Sequence, residues 1–190
     1  MKEIAKLGII LMVIGAVAAA LLAMTYDFTI DQIIEQRRIA DEIARKEVFP
    51  TADGFTAATE DELKAVQAIN SAIAELYFAE EGGNTVGYVV KTKPSGFGGT
   101  LDVVTGVATD GTITGLRVGN HAETPGLGAN ATLPGFYAQY EGLSITSPVM
   151  VNKVEPGENE ILAITGATIT SQAVTDGVNF INEIFDTLNK

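Results

Sequence analysis

The chain has no cysteine among its 190 residues, which excludes iron–sulfur ligation, thiol chemistry, disulfide cross-links and lipidated cysteine together. A single histidine, His121, excludes zinc sites built on several imidazoles, and no serine is spaced to make a catalytic triad with it. Positive charge is scarce as well. Twelve Lys and Arg face 24 Asp and Glu, a formal net charge of −12, and no basic stripe gathers them, so nucleic acid is not expected as a partner. No internal repeat or low-complexity tract is present.

What the chain does have is a long apolar start. From Leu7 to Tyr26 no charge interrupts a run of Leu, Ile, Val, Met and Ala. At about 1.5 Å per residue a helix of this length reaches about 30 Å, the thickness of bilayer hydrocarbon. We expect residues 7–26 to span a membrane once, as a retained anchor, because the run is long for the apolar region of a cleaved signal peptide. Lys2 and Lys6 lie closer to the span than Arg37, Arg38, Arg45 and Lys46, which favours a cytoplasmic N-terminus for residues 1–6 and an extracytoplasmic location for the residues beyond the span. Small residues at Gly8, Gly15, Ala16, Ala19 and Ala23 suit either packing against partner helices or a plain lipid-facing anchor.

Beyond the span, residues 27–50 mix apolar and charged side chains at helical intervals and read as a stalk that stops at Phe49-Pro50. A second helix is expected from about Glu60 to Ala74, opened by Thr59 with Glu62 three residues on, the spacing of a capping box. Its apolar face would carry Leu63, Val66, Ile69 and Ile73. Three runs rich in Val, Thr, Ile and Tyr come next, Gly87 to Thr92, Leu101 to Thr109 and Thr112 to Gly119. Asp110-Gly111 is a strong hairpin signal between the last two. Pro94 to Gly99 reads as a turn, since the features of a phosphate loop are missing. At the C-terminal end Val174, Val178, Ile181, Phe185 and Leu188 predict an amphipathic helix from Thr170 to about Leu188. The soluble part is therefore α+β, a mainly antiparallel sheet with flanking helices in a single domain over residues 51–190.

Two stretches carry candidate chemistry. In Ile164-Thr-Gly-Ala-Thr-Ile-Thr-Ser171, Gly166 and Ala167 admit a close approach, while Thr165, Thr168, Thr170 and Ser171 offer oxygens at the start of a helix whose dipole favours an anion. The same residues also suit an ordinary helix cap. In His121-Ala-Glu-Thr-Pro-Gly-Leu-Gly128 a shaped loop comes after a strand. Its backbone, with Leu127 and with Glu123 or Thr124, would fit against a flat heteroaromatic ring, although a Pro-Gly connection alone accounts for the pattern too. His121 reads as a structural or ring-adjacent residue rather than a general base.

Taken together, and with Gly87-Tyr88 opening the first sheet run ahead of the Gly96-Phe97-Gly98-Gly99 turn, these motifs resemble the FMN-binding domain shared by the G subunit of the Rnf complex and the C subunit of Na⁺-translocating NADH:quinone reductase. The resemblance covers most of the chain, and its modest length favours the Rnf G subunit. It implies FMN joined through a phosphoester to Thr168, attached from FAD by a flavin transferase, with Thr165, Gly166, Ala167, Thr170 and Ser171 around the tether. His121, Glu123, Thr124, Gly126, Leu127 and Gly128 would then border the flavin. It further implies electron relay among other membrane and redox subunits of an ion-translocating ferredoxin:NAD⁺ oxidoreductase in a prokaryotic plasma membrane. Where that family has an Asp three or four residues ahead of the first hydroxyl, this chain has Ile161 and Leu162, and Glu160 is the nearest acid. The alternatives are a C-type subunit, another anchored flavoprotein holding FMN noncovalently, or an anchored binding module without redox chemistry.

Overall fold

Helix-favouring Ala, Leu, Met and Glu run without a proline as far as Pro50, and the computed structural model, which describes residues 2–188, opens with one unbroken helix, α1 (Lys2–Val48). Pro50 ends it by lacking an N–H donor and by disfavouring helical geometry at Phe49. Thr25 and Thr29 turn their hydroxyls back onto the carbonyls of Leu21 and Thr25, at 2.9 and 2.7 Å, which satisfies them at the edge of the apolar run. Arg38 meets Glu35 at 2.9 Å and Glu42 at 3.4 Å along the next turns. Contacts divide the chain into two units, residues 1–42 and 43–190.

In the second unit β1 (Gly54–Ala57) precedes α2 (Glu60–Ile69), β2 (Ile73–Glu81), β3 (Asn84–Thr92), β4 (Val103–Ala108) and β5 (Ile113–Val118). The five strands form one antiparallel sheet in sequential order. Gly82 and Gly83, both at positive φ, make the two-residue turn between β2 and β3. Asp110-Gly111 closes the β4–β5 hairpin as its sequence predicts, with Gly111 at φ +89°.

The capping box at α2 forms: Thr59 accepts the Glu62 N–H through its hydroxyl, and Glu62 accepts the Thr59 N–H. The hydroxyl and N–H of Thr59 hold the Glu62 carboxyl below its usual range. The helix stops five residues short of the expected Ala74. Asn70 Oδ1 accepts the Ala72 N–H at 2.9 Å, a local bond that competes with helix, and Ile73 enters β2 and the core instead of lying on the helix's apolar face. Strands β1 and β2 were not expected, and neither was the short parallel pair β6 (Met150–Asn152) and β7 (Glu160–Leu162) that supplements the antiparallel sheet.

The last helix, α4 (Thr168–Leu188), comes after a short helix α3 (Pro134–Tyr137) and the β6–β7 pair, and lays its apolar face on the sheet. Val174, Val178, Ile181 and Ile184 are fully buried with Val90, Val103 and Leu116. The backbones come close where Thr92 Oγ1 donates to Gly177 O at 3.1 Å, and a Cβ on Gly177 would lie 2.7 Å from that hydroxyl. A second, smaller cluster of Val48, Phe49, Ala79, Val89 and Val104 packs the residues that end α1 onto the sheet. There Thr114 Oγ1 donates to Val48 O at 2.6 Å.

Candidate functional site

Gly166, at φ +78°, turns the chain from β7 into α4, and the Ala167 N–H closes the turn on Ile164 O at 2.9 Å. Two of the four motif hydroxyls are used by the fold. Ser171 Oγ donates to Ala167 O at 3.1 Å and accepts the Ile164 N–H at 2.9 Å, fully buried. Thr170 Oγ1, also buried, donates to Glu123 Oε2 at 2.6 Å. Thr165 is exposed and does not line the cleft that Thr168 borders. Thr168 differs from all three: it is the first residue of α4, half-buried, lines a cleft, and has no hydrogen-bond partner for its hydroxyl among the described residues.

That cleft has a volume of about 370 Å³ and three walls. Gly166, Ala167, Thr168, Ile169 and Thr170 form the first, at the start of α4. Glu123, Thr124, Leu127 and Gly128 form the second, from the loop after β5. In that loop the Leu127 N–H donates to Thr124 O at 3.1 Å, and Gly126, at φ +77°, turns the chain without touching the cleft. His121 is also outside the cavity lining, although its Nδ1 accepts the N–H of the lining residue Glu123 at 3.2 Å. An imidazole committed to the backbone in this way is positioned to shape the loop. The third wall is Phe97, 70% exposed at the tip of the turn after β3.

Of the twelve residues singled out from sequence, the fold thus brings eight to one cleft and leaves Thr165, Ser171, His121 and Gly126 outside its lining. Two lining residues were missed, Phe97 and Ile169. Phe97 carried a usable signal, because a large aromatic between glycines in a polar turn has no core to enter. Glu160, the acid nearest the missing Asp, accepts the Gly157 N–H and an Asn152 amide hydrogen, each at 2.8 Å, which hold its carboxylate below the usual range. It caps the β6–β7 connection and does not line the cleft.

The slot has mainly apolar walls, two of its lining residues, Gly128 and Gly166, carry no side chain, and a hydroxyl lies beside the electropositive start of a 21-residue helix. It suits a flat ring system with an anionic tail. The FMN-binding domain family matches residues 96–183, the segment that supplies all three walls, and the N-terminal region of RnfG matches residues 1–48. The class is therefore an FMN-binding domain behind an N-terminal helix long and apolar enough to cross a membrane.

Relatives narrow this further. The chain is 43% identical to the G subunit of the Na⁺-translocating ferredoxin:NAD⁺ oxidoreductase complex of Acetobacterium woodii, covering 100% of this chain and 95% of that one. It is 38% identical to the G subunit of the ion-translocating oxidoreductase complex of Methanosarcina acetivorans, over 94% and 92% of the two chains. The C subunit of the Na⁺-translocating NADH-quinone reductase of Parabacteroides distasonis shares the fold, with a TM-score of 0.56 at 23% identity over 73% of this chain and 79% of that one. The chain belongs to the family of Rnf complex G subunits, a family of redox-complex subunits.

Proposed function

We propose that this protein is the electron-relay subunit of a membrane-bound, ion-translocating ferredoxin:NAD⁺ oxidoreductase complex, and that it carries FMN through a phosphoester to Thr168. The observation that carries the tether is the division of labour among the motif hydroxyls. Thr170 and Ser171 are buried and bonded, Thr165 is off the cleft, and Thr168 lines the cleft with no partner for its hydroxyl among the described residues. The bound flavin supplies one- and two-electron transfer. The chain's residues supply the rest. Thr168 fixes the phosphate end, which the first turn of α4 stabilises by about 0.3–1 kcal/mol through its amides and dipole. Leu127, Phe97 and Ile169 exclude water from the ring, and Glu123 and Thr124 line the same cleft. A tethered cofactor does not diffuse away, which matters for a carrier on the far side of a membrane.

In this reading residues 1–6 are cytoplasmic, 7–26 cross the prokaryotic plasma membrane, 27–50 form the stalk, and 51–190 form the FMN domain on the extracytoplasmic face. The partners are the other membrane and redox subunits of the complex, where ferredoxin and NAD⁺ bind, together with a flavin transferase that uses FAD during maturation. Mass spectrometry of the peptide spanning Thr168, from protein made in a host with such a transferase, tests the tether: the peptide gains one FMN less water. A peptide of unmodified mass overturns it. Protease access to intact cells tests the sidedness, since digestion only after lysis would place the domain inside.

A further inference from the structure

Three segments far apart in sequence meet on one buried carboxylate. Glu123 is 6% exposed. Its Oε1 accepts the Gly98 N–H at 2.9 Å, and its Oε2 accepts the Thr170 hydroxyl at 2.6 Å. The space around it is cleared by glycines: a Cβ on Gly96 would run into Oε1, one on Gly128 into Oε2, and one on Gly98 into the Ala122 carbonyl. The turn after β3 therefore has a fixed seat against the loop after β5. At the tip of that seated turn, between Gly96 and Gly98, Phe97 stays 70% exposed and forms one wall of the cleft. An aromatic ring held in solvent by a buried hydrogen bond costs apolar exposure and gains nothing from the core. The arrangement makes sense when a second flat apolar surface lies against it.

We propose that Glu123 is a positioning residue, one that ties the 95–100 turn to the first turn of α4 so that Phe97 stacks on the flavin ring. Both carboxylate oxygens are engaged by the protein, so Glu123 acts through Phe97 and not chiefly as a ligand of the flavin. The proposal rests on the reading of the cleft as the FMN site, and its test separates the two.

Tryptophan in contact with a flavin quenches its fluorescence. In flavinylated protein Phe97→Trp should lower the emission several-fold. Adding Glu123→Ala should restore most of that emission, whereas Glu123→Gln, which retains an acceptor for Gly98 and a partner for Thr170, should leave the quench largely in place. Thr170→Val, which removes one of the two bonds without changing side-chain shape, should restore it partly and serves where Glu123→Ala does not fold. A second readout needs no flavin: in protein made without the transferase, hydrogen exchange at the Gly98 amide should accelerate by an order of magnitude in Glu123→Ala and stay slow in Glu123→Gln. An unquenched Phe97→Trp protein overturns the proposal, as does a quench that survives both Glu123→Ala and Thr170→Val, or a Gly98 amide indifferent to Glu123. Absence of flavin from the Thr168 peptide would instead overturn the tether while leaving the Gly98 result to stand on its own.

Discussion

Helices α1 and α4 are built largely from the same apolar residues and dispose of them in opposite ways. Over the 47 residues of α1 only Val48 is buried, and Leu7, Leu11, Val17, Leu21 and Leu22 remain more than half exposed. Over the 21 residues of α4 ten are buried, among them Val174, Val178, Ile181 and Ile184 at no exposure. The difference lies in period. In α4 polar residues such as Gln172, Asp176 and Glu183 fall on the face away from the sheet, so one protein surface suffices to cover the rest. In residues 7–26 the apolar residues go all the way round, which no single protein face covers. Fully burying one Leu is worth about 1.5–3 kcal/mol relative to water, so a helix exposing this many belongs in lipid or among other helices.

Helix α4 also divides its work between its end and its body. Thr168→Ala separates them and carries the largest expected effect, complete loss of covalent flavin in a denaturing gel read by fluorescence. Urea unfolding should change by no more than about 0.5 kcal/mol against flavin-free wild type, since the side chain is half-buried and makes no hydrogen bond among the described residues. A large loss of stability would mean that Thr168 also holds the fold. Ile181→Ala strikes the body instead, and a fully buried Ile cut to Ala should cost about 2–5 kcal/mol in detergent-solubilised protein. Leu21→Ala, the matched truncation in α1, should leave that unfolding transition where it was. If both truncations destabilise equally, the contrast between the helices is wrong.

Charge sharpens the contrast from the other side. Ala16 sits midway along the apolar run, where an arginine costs about 2.5–3.5 kcal/mol of membrane insertion. Ala16→Arg should therefore shift protein from the membrane fraction to the soluble fraction, while the unfolding of the domain and its covalent flavin content per molecule, measured on flavinylated protein that reached the membrane, stay as in wild type.

These features were unequally visible in the chain. Local chemistry announced the capping box at Thr59, the Asp110-Gly111 hairpin, the apolar period of α4 and the end of α1 at Pro50, because each depends on neighbours a few residues away. The candidate cleft was half legible: the two motifs named the walls around Thr168 and Leu127, but spacing alone did not tell which hydroxyls serve the fold. Ser171 and Thr170 are spent on Ile164, Ala167 and Glu123, contacts that exist only once β7 and the loop after β5 are in place. Strand β2 sets strand-favouring Ile73, Tyr77 and Phe78 among Ala74, Glu75, Ala79 and Glu80, which are not, and its pairing with β1 and β3 decides between the two tendencies. The turn around Phe97 looked like a simple connection for the same reason, since its partner Glu123 lies 25 residues on from Gly98.

The smallest expected effect concerns the polar residues that α4 buries among its apolar ones. Tyr140 Oη lies 2.7 Å from Thr175 Oγ1, both fully buried, and Thr175 Oγ1 itself donates to Ser171 O at 3.0 Å. A hydroxyl has one hydrogen, so Tyr140 is the donor in this pair. Burial pushes its phenol far above the usual range, opposed in part by the Thr175 bond, and the Asp176 charge adds to the rise. Because the folded state holds this proton more tightly than the unfolded chain, its contribution is complete below about pH 10, the ordinary tyrosine value, and declines as pH rises past it. Tyr140→Phe should cost about 1 kcal/mol at neutral pH for the lost hydrogen bond. Its stability should then fall less steeply than wild type above about pH 10, with the residual slope owed partly to Tyr88, whose phenol burial also raises. Urea midpoints at neutral pH and at several more alkaline values, beyond the ordinary tyrosine range, give the comparison directly: curves that run parallel throughout would show that the α4 interior does not depend on this proton.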